Sequence, residues 1–127
     1  MGTVPDELKY TKEHEWLRIE DDGILIGITD FAQNALTEVV WVELPELGAS
    51  VDAMESFASV ESVKSVSEIY APIAGSVIDI NEELEDTPEI INEDPYGRGW
   101  ICKMEIENEG DLEALLDAGA YAALIGE

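Results

Sequence analysis

The chain has 127 residues, with 30 Asp and Glu against 6 Lys and Arg, for a formal net charge of -24. That length predicts one domain over residues 1–127, able to bury roughly two-thirds of the surface its unfolded form exposes. A field so negative repels nucleic acid phosphates and anionic headgroups, so DNA, RNA and membrane-surface binding are excluded as expected roles.

The amino end, residues 1–7, has neither a basic nor an apolar region, and Asp6 stands where a myristoylation signal after Met1-Gly2 needs Ser or Thr. Residues 15–19 read as a strand with Glu15, Leu17 and Ile19 on one face and Trp16 and Arg18 on the other. Asp21-Asp22-Gly23 turns the chain into a short apolar strand over 23–29, and Thr29 then caps a short helix over 30–36. A Val-rich strand with Trp41 follows over 38–44 and is stopped by Pro45 and Gly48. Strands over 56–60 and 66–70 flank the polar segment 61–65, and Pro72 and Gly75 lead into another strand over 76–80. The acidic stretch 82–94 shows little periodicity and is predicted to be an ordered, irregular connection. The last strand is expected over 99–107, where period two places Cys102 on the face of Trp100, Met104 and Ile106. Asn108 or Asp111 is the expected cap of a helix carrying Leu112, Leu115 and Leu116 on one face, ended or kinked by Gly119, with a further short helix over 120–125. So many short strands predict a mainly β chain, an antiparallel sandwich or barrel.

The apolar content supports a packed core. Leu, Ile, Val and Phe make up 35 of the 127 residues, about 28 per cent, above the roughly 20 per cent below which highly charged chains stay unfolded. No stretch approaches the ~20 apolar residues of a membrane helix. One cysteine cannot form an internal disulfide, which fits a reducing compartment.

Metal and nucleophile chemistry find little support. Asn92, Asp94 and Gly97 match the first, third and sixth positions of a calcium loop, but Tyr96 and Lys103 occupy positions that need oxygen ligands. One histidine and one cysteine build no zinc or copper cluster. Cys102 reads as a buried, inert core thiol, and His14 as a structural or surface histidine with no acid and nucleophile arranged around it.

The cations carry more information. Between Arg18 and Arg98 lie 79 residues with 19 acids, and the only Lys or Arg among them is Lys64. It sits in Glu61-Ser62-Val63-Lys64-Ser65, between two strands, and so is predicted at an exposed hairpin tip, although the turn lacks the usual Asn-Gly or Gly-X pair. By position alone it is either an ordinary surface lysine, the commoner case, or one presented for acylation, where a tip gives a modifying enzyme access to the amine and lets a long arm swing.

The chain resembles the H-protein family of the glycine cleavage system over nearly its whole length. The matching segments are Lys9-Tyr10-Thr11-Lys12-Glu13-His14-Glu15-Trp16, Gly27-Ile28-Thr29-Asp30-Phe31-Ala32-Gln33, and Val42-Glu43-Leu44-Pro45 with Gly48. Most specific is Val60-Glu61-Ser62-Val63-Lys64-Ser65, similar to the family's lipoylation site; Ala71-Pro72-Ile73-Ala74-Gly75 and Asn92-Glu93-Asp94-Pro95-Tyr96-Gly97 with Gly99-Trp100 follow. A biotin carrier would show methionines on both sides of the modified lysine, where this chain has Val63 and Ser65.

The resemblance implies a flattened barrel-sandwich hybrid with short helices at its sides and carboxyl end. It implies lipoate in amide linkage to Lys64, attached by a lipoate ligase or lipoyl transferase. The arm would accept an aminomethyl group from glycine decarboxylase (P protein), present it to the aminomethyltransferase (T protein), and be reoxidised by dihydrolipoamide dehydrogenase (L protein). The protein would then be a carrier with no turnover of its own. A role in relaying lipoyl groups to 2-oxoacid dehydrogenases, or an unmodified acidic binding protein, are the alternatives. Glu15, on the inward face of its strand, and Glu68, four residues past Lys64, match acids of the family. They are expected either to hold the loaded arm's protonated amine by charge-assisted hydrogen bonds or simply to be solvated. With no leader visible, the expected location is a bacterial cytoplasm, or the mitochondrial matrix for a mature eukaryotic form.

Overall fold

A computed structural model of the chain describes residues 4–107 and 109–126. In chain order the strands are β1 (Lys9–Tyr10), β2 (Glu15–Glu20), β3 (Gly23–Ile28), β4 (Val39–Glu43), β5 (Ser50–Val51), β6 (Ser56–Ser62), β7 (Val66–Tyr70), β8 (Gly75–Ile80) and β9 (Cys102–Ile106). The helices are α1 (Asp30–Leu36), α2 (Glu83–Asp86), α3 (Ile90–Glu93) and α4 (Ala118–Leu124), with a 3-10 turn over Glu109–Ala114.

The strands form two antiparallel sheets, one ordered β1-β2-β3-β9-β8-β5 and one ordered β4-β6-β7. Side chains from both meet in one core: Leu17, Ile26 and Met104 from the larger sheet, Val42, Val60 and Ile69 from the smaller. This is the open, mainly β sandwich with short peripheral helices that the sequence predicts. A second cluster of Leu8, Tyr10, Trp16, Ala118 and Tyr121 lies beneath α4. It explains why adjacent Trp16 and Leu17, on opposite faces of β2, are both fully buried: each face of the strand meets a different core. Gly27 makes room for that arrangement, since a Cβ there would come within 2.7 Å of the Trp16 indole.

Thr29 caps α1 as expected, its side chain accepting from the Ala32 N–H at 3.2 Å. Several expectations need correction. The stretch 82–94 contains α2 and α3, each a single turn pinned by Leu84 or by Ile90 and Ile91; one turn is too short to display a period. Trp100 lies outside β9 and packs on the second cluster, while Cys102 and Met104 face the main core. Ile19 is 57 % exposed although it shares a strand face with buried Leu17, because β2 runs beyond the edge of the core.

The carboxyl end differs most. Leu112 and Leu115 pack on the main core but Leu116 on the second, so the three do not share one helical face. A bridge between Tyr10 and Leu116 pulls the chain straight before α4 begins. Asp117 caps α4, accepting from the Ala120 N–H at 2.8 Å, and Gly119 lies in its first turn without ending or kinking a helix. Of the two expected caps, Asn108 and the Asp111 side chain lie outside the described residues. Among the described residues no helix is long and apolar enough to cross a membrane.

Candidate functional site

Lys64 stands at the tip of the β6–β7 hairpin, exposed between Val63 and Val66, which are 67 % and 62 % exposed. The hairpin closes without any left-handed residue, which accounts for the missing Asn-Gly or Gly-X pair. A serine side chain does the work instead. Ser62 N–H donates to the Ser65 carbonyl at 2.8 Å, while the Ser62 hydroxyl accepts from Lys64 N–H at 3.1 Å and Ser65 N–H at 3.0 Å. Val63 N–H donates to the Glu38 carbonyl at 3.0 Å, tying the tip to the start of β4. Ser62 escaped the sequence reading of the site. Its signal lies in the alternation of β6, where Ala58, Val60 and Ser62 all point inward and only the last is polar.

The Lys64 amine has no carboxylate within 4.0 Å among the described residues, whereas Lys103 pairs with Asp22 at 3.0 Å and Arg98 with Glu83. One residue beyond Lys64 a cleft of about 310 Å³ begins. It runs along Ser65–Ile69 and is also walled by Glu13, His14 and, from α1, Phe31, Ala32 and Leu36, the His14 and α1 parts being joined by the Thr29 N–H, which donates to the His14 carbonyl at 3.0 Å. β7 is the outer strand of its sheet. Glu68 lines this cleft, exposed, with Oε1 accepting from the Ser56 hydroxyl at 2.9 Å.

Glu15 is placed differently. Its carboxylate is buried, 1 % exposed, accepting from the Thr11 hydroxyl at 2.5 Å and from Tyr70 N–H at 3.3 Å, at the far end of β7. It is therefore not solvated. Burial pushes its pKa up to about 7, against the pull of the Thr11 and Tyr70 hydrogen bonds, with Glu13 adding a smaller push. The structure thus sets Glu68 in a cleft that begins one residue past Lys64, and sets Glu15 behind the edge strand, outside the lining.

His14 is structural in the sense expected of it, yet it also walls the cleft. It is half-buried in the left-handed conformation (φ 71°), with its ring 4.7 Å from that of Phe31, and burial holds its pKa below the ordinary value. Cys102 is fully buried, and burial pushes its thiol up to about 12, which keeps it an inert thiol at neutral pH.

Residues 8–127 match the family described as glycine cleavage H-protein. The chain belongs to the glycine cleavage H-protein family. It is 55 % identical over 124 residues to a glycine cleavage system H protein of Staphylococcus carnosus (strain TM300), covering 98 % of both chains. It is 53 % identical over 124 residues, with the same coverage, to that of Staphylococcus epidermidis. The crystal structure of a glycine cleavage system H protein from Mycobacterium marinum superposes with a TM-score of 0.89 at 38 % identity, covering 98 % of this chain and 100 % of the other. Members of this family are lipoyl carriers that serve as a component of the glycine cleavage system and work with its other components. The family role is that of a carrier, not of a catalyst.

Proposed function

We propose that residues 1–127 form one lipoyl-carrier domain in which Lys64 bears lipoate in amide linkage. The observation that carries this reading is the exposed Lys64, with no carboxylate within 4.0 Å of its amine among the described residues, on a serine-braced tip beside a cleft. The residues fit the group. An exposed amine suits acylation, and the aliphatic side chains of Ala32, Ala35 and Leu36 suit a hydrocarbon arm. When bound, the dithiolane supplies the reductive acceptance and later release of an aminomethyl group.

The chain's own residues bind and orient. Ser62 stiffens the tip so that the amine projects from a fixed base. Glu68 offers a carboxylate to a protonated amine in the cleft, where a charge-assisted hydrogen bond would hold it. Glu15 acts from behind β7, outside the cleft lining, where its carboxyl oxygen accepts the Tyr70 N–H and so holds the end of that strand. The His14 and α1 walls keep water from the cleft.

The partners in this reading are glycine decarboxylase, the aminomethyltransferase and dihydrolipoamide dehydrogenase, with a lipoate ligase or lipoyl transferase for loading. The staphylococcal and mycobacterial relatives support a bacterial cytoplasm as the setting. Intact mass after co-expression with a lipoate ligase and lipoate tests the site. One lipoyl adduct is expected, absent from Lys64→Ala; an adduct that persists in that variant overturns the assignment. Glycine decarboxylation reconstituted with the three partners tests the carrier role, and a chain active only in passing lipoyl groups to 2-oxoacid dehydrogenases would overturn it.

A further inference from the structure

We propose that Tyr121 of the carboxyl-terminal helix is a positioning residue that braces, from behind, the wall that His14 and α1 form along the cleft beside Lys64. The Tyr121 hydroxyl lies 2.8 Å from His14 Nδ1 and 2.7 Å from Thr29 Oγ1. His14 lines the cleft, and Thr29 is the cap of α1, whose Phe31, Ala32, Ala35 and Leu36 line it beside His14; the Thr29 N–H donates to the His14 carbonyl at 3.0 Å and the His14 and Phe31 rings lie 4.7 Å apart, so the two form one wall. A single phenol oxygen touches both anchors of that wall, from 107 residues away in sequence in one case and 92 in the other.

The anchors need such a partner. His14 is a non-glycine residue at φ 71°, a conformation that persists only where its surroundings enforce it. Thr29 Oγ1 already accepts from Ala32 N–H at 3.2 Å, so its hydroxyl proton is free to meet Tyr121. Tyr121 itself is fully buried and cannot drift, because its ring stacks on Tyr10 with centroids 4.6 Å apart and planes 7° from parallel. Asp117 and the Tyr10–Leu116 bridge set α4 in register beneath this wall. The carboxyl-terminal helix thus acts on the cleft without lining it.

The consequence for the arm rests on the reading of Lys64 above; the joint itself does not. Tyr121→Phe keeps the ring stack and removes only the hydroxyl. In the unmodified full chain, amide hydrogen exchange at residues 14 and 30–33 is expected to rise about tenfold, the scale of one net hydrogen bond, with no change at 62–65. Thr29→Ser, which retains the hydroxyl, and Leu124→Ala, on the exposed side of α4, should leave exchange at residue 14 as in the wild type.

In the lipoylated chain, loaded by glycine decarboxylase with glycine, a loosened wall admits water to the carried group. Water attacks the methylene carbon, the carbon–sulfur bond breaks, formaldehyde and ammonia leave, and the sulfur retains a proton as a free thiol. Thiol should appear about tenfold faster in Tyr121→Phe, while lipoate attaches to Lys64 at the wild-type rate. Exchange that rises evenly over the whole chain, or locally faster exchange with unchanged thiol release, overturns the proposal. A wild-type chain that takes no lipoyl group overturns the reading of Lys64 instead, and unchanged exchange in unmodified Tyr121→Phe overturns the joint on its own.

Discussion

The Ser62 hydroxyl accepts the Lys64 backbone N–H at 3.1 Å, a contact two residues long that sets the direction in which the lysine leaves the hairpin. The same hydroxyl takes the Ser65 N–H and donates to the Ser65 carbonyl at 3.1 Å, so one buried side chain replaces the glycine-based turn a tight hairpin ordinarily uses.

Ser62→Ala should therefore cost about 1 kcal/mol of stability, with the Lys64 and Ser65 amides exchanging faster while the sheet amides do not. Lipoate attachment to Lys64 should slow several-fold, and Ser62→Thr should restore it. Urea titration, amide exchange and ligase kinetics measure the three effects. Attachment at the wild-type rate in Ser62→Ala would show that the enzyme itself shapes the tip.

Glu15 gives the protein a built-in pH dependence. Its folded pKa of about 7 lies above the ordinary 4.5, so between those values the folded state holds a proton that the unfolded state has released. Stability contributed by the neutral carboxyl is thus full below about pH 4.5 and falls as pH rises through about 7. The loss amounts to roughly 3 kcal/mol, at 1.36 kcal/mol per unit. Glu15→Gln removes the titration, so its stability relative to wild type should climb by a similar amount from pH 4.5 to pH 8. A difference that stays flat across that range in denaturation curves would mean the carboxylate is solvated.

Two glycines should respond in opposite directions to alanine. At Gly75, paired with Ile106 across β8 and β9, a Cβ would clash with the Glu105 backbone oxygen, which cannot move without breaking the ladder. Gly75→Ala should lose about 1–3 kcal/mol. At Gly119, in the first turn of α4, the nearest atom would be 3.7 Å away, and Gly119→Ala should gain about 0.5–1 kcal/mol from helix propensity. Chemical denaturation of the two variants measures both.

A net charge of -24 should make docking electrostatic. Binding of the lipoylated chain to glycine decarboxylase is expected to weaken severalfold between about 50 mM and 500 mM salt, chiefly through the association rate, because screening shortens the field that steers encounter. Stopped-flow association across that range provides the measurement. An association rate indifferent to salt would assign the charge to solvation and not to recognition.

Sequence alone determined much of this protein. Alternation and turn residues marked seven of the nine strands, leaving out only the two-residue β1 and β5. Thr29 marked the start of α1, the loneliness of Lys64 among acids singled out a candidate site, and the motifs around it marked the family. These signals are local: period, cap and composition are written in consecutive residues. Tertiary structure decided what depends on distant packing. Glu15 is buried because Tyr70, 55 residues away, meets its carboxylate at the end of β7. Leu112, Leu115 and Leu116 divide between two cores because a bridge to Tyr10 intervenes. His14 walls the cleft because Tyr121 reaches it from the last helix. An acid, a leucine or a histidine looks the same in sequence whether it is desolvated or wet, and only the surfaces brought against it by the folded chain settle which.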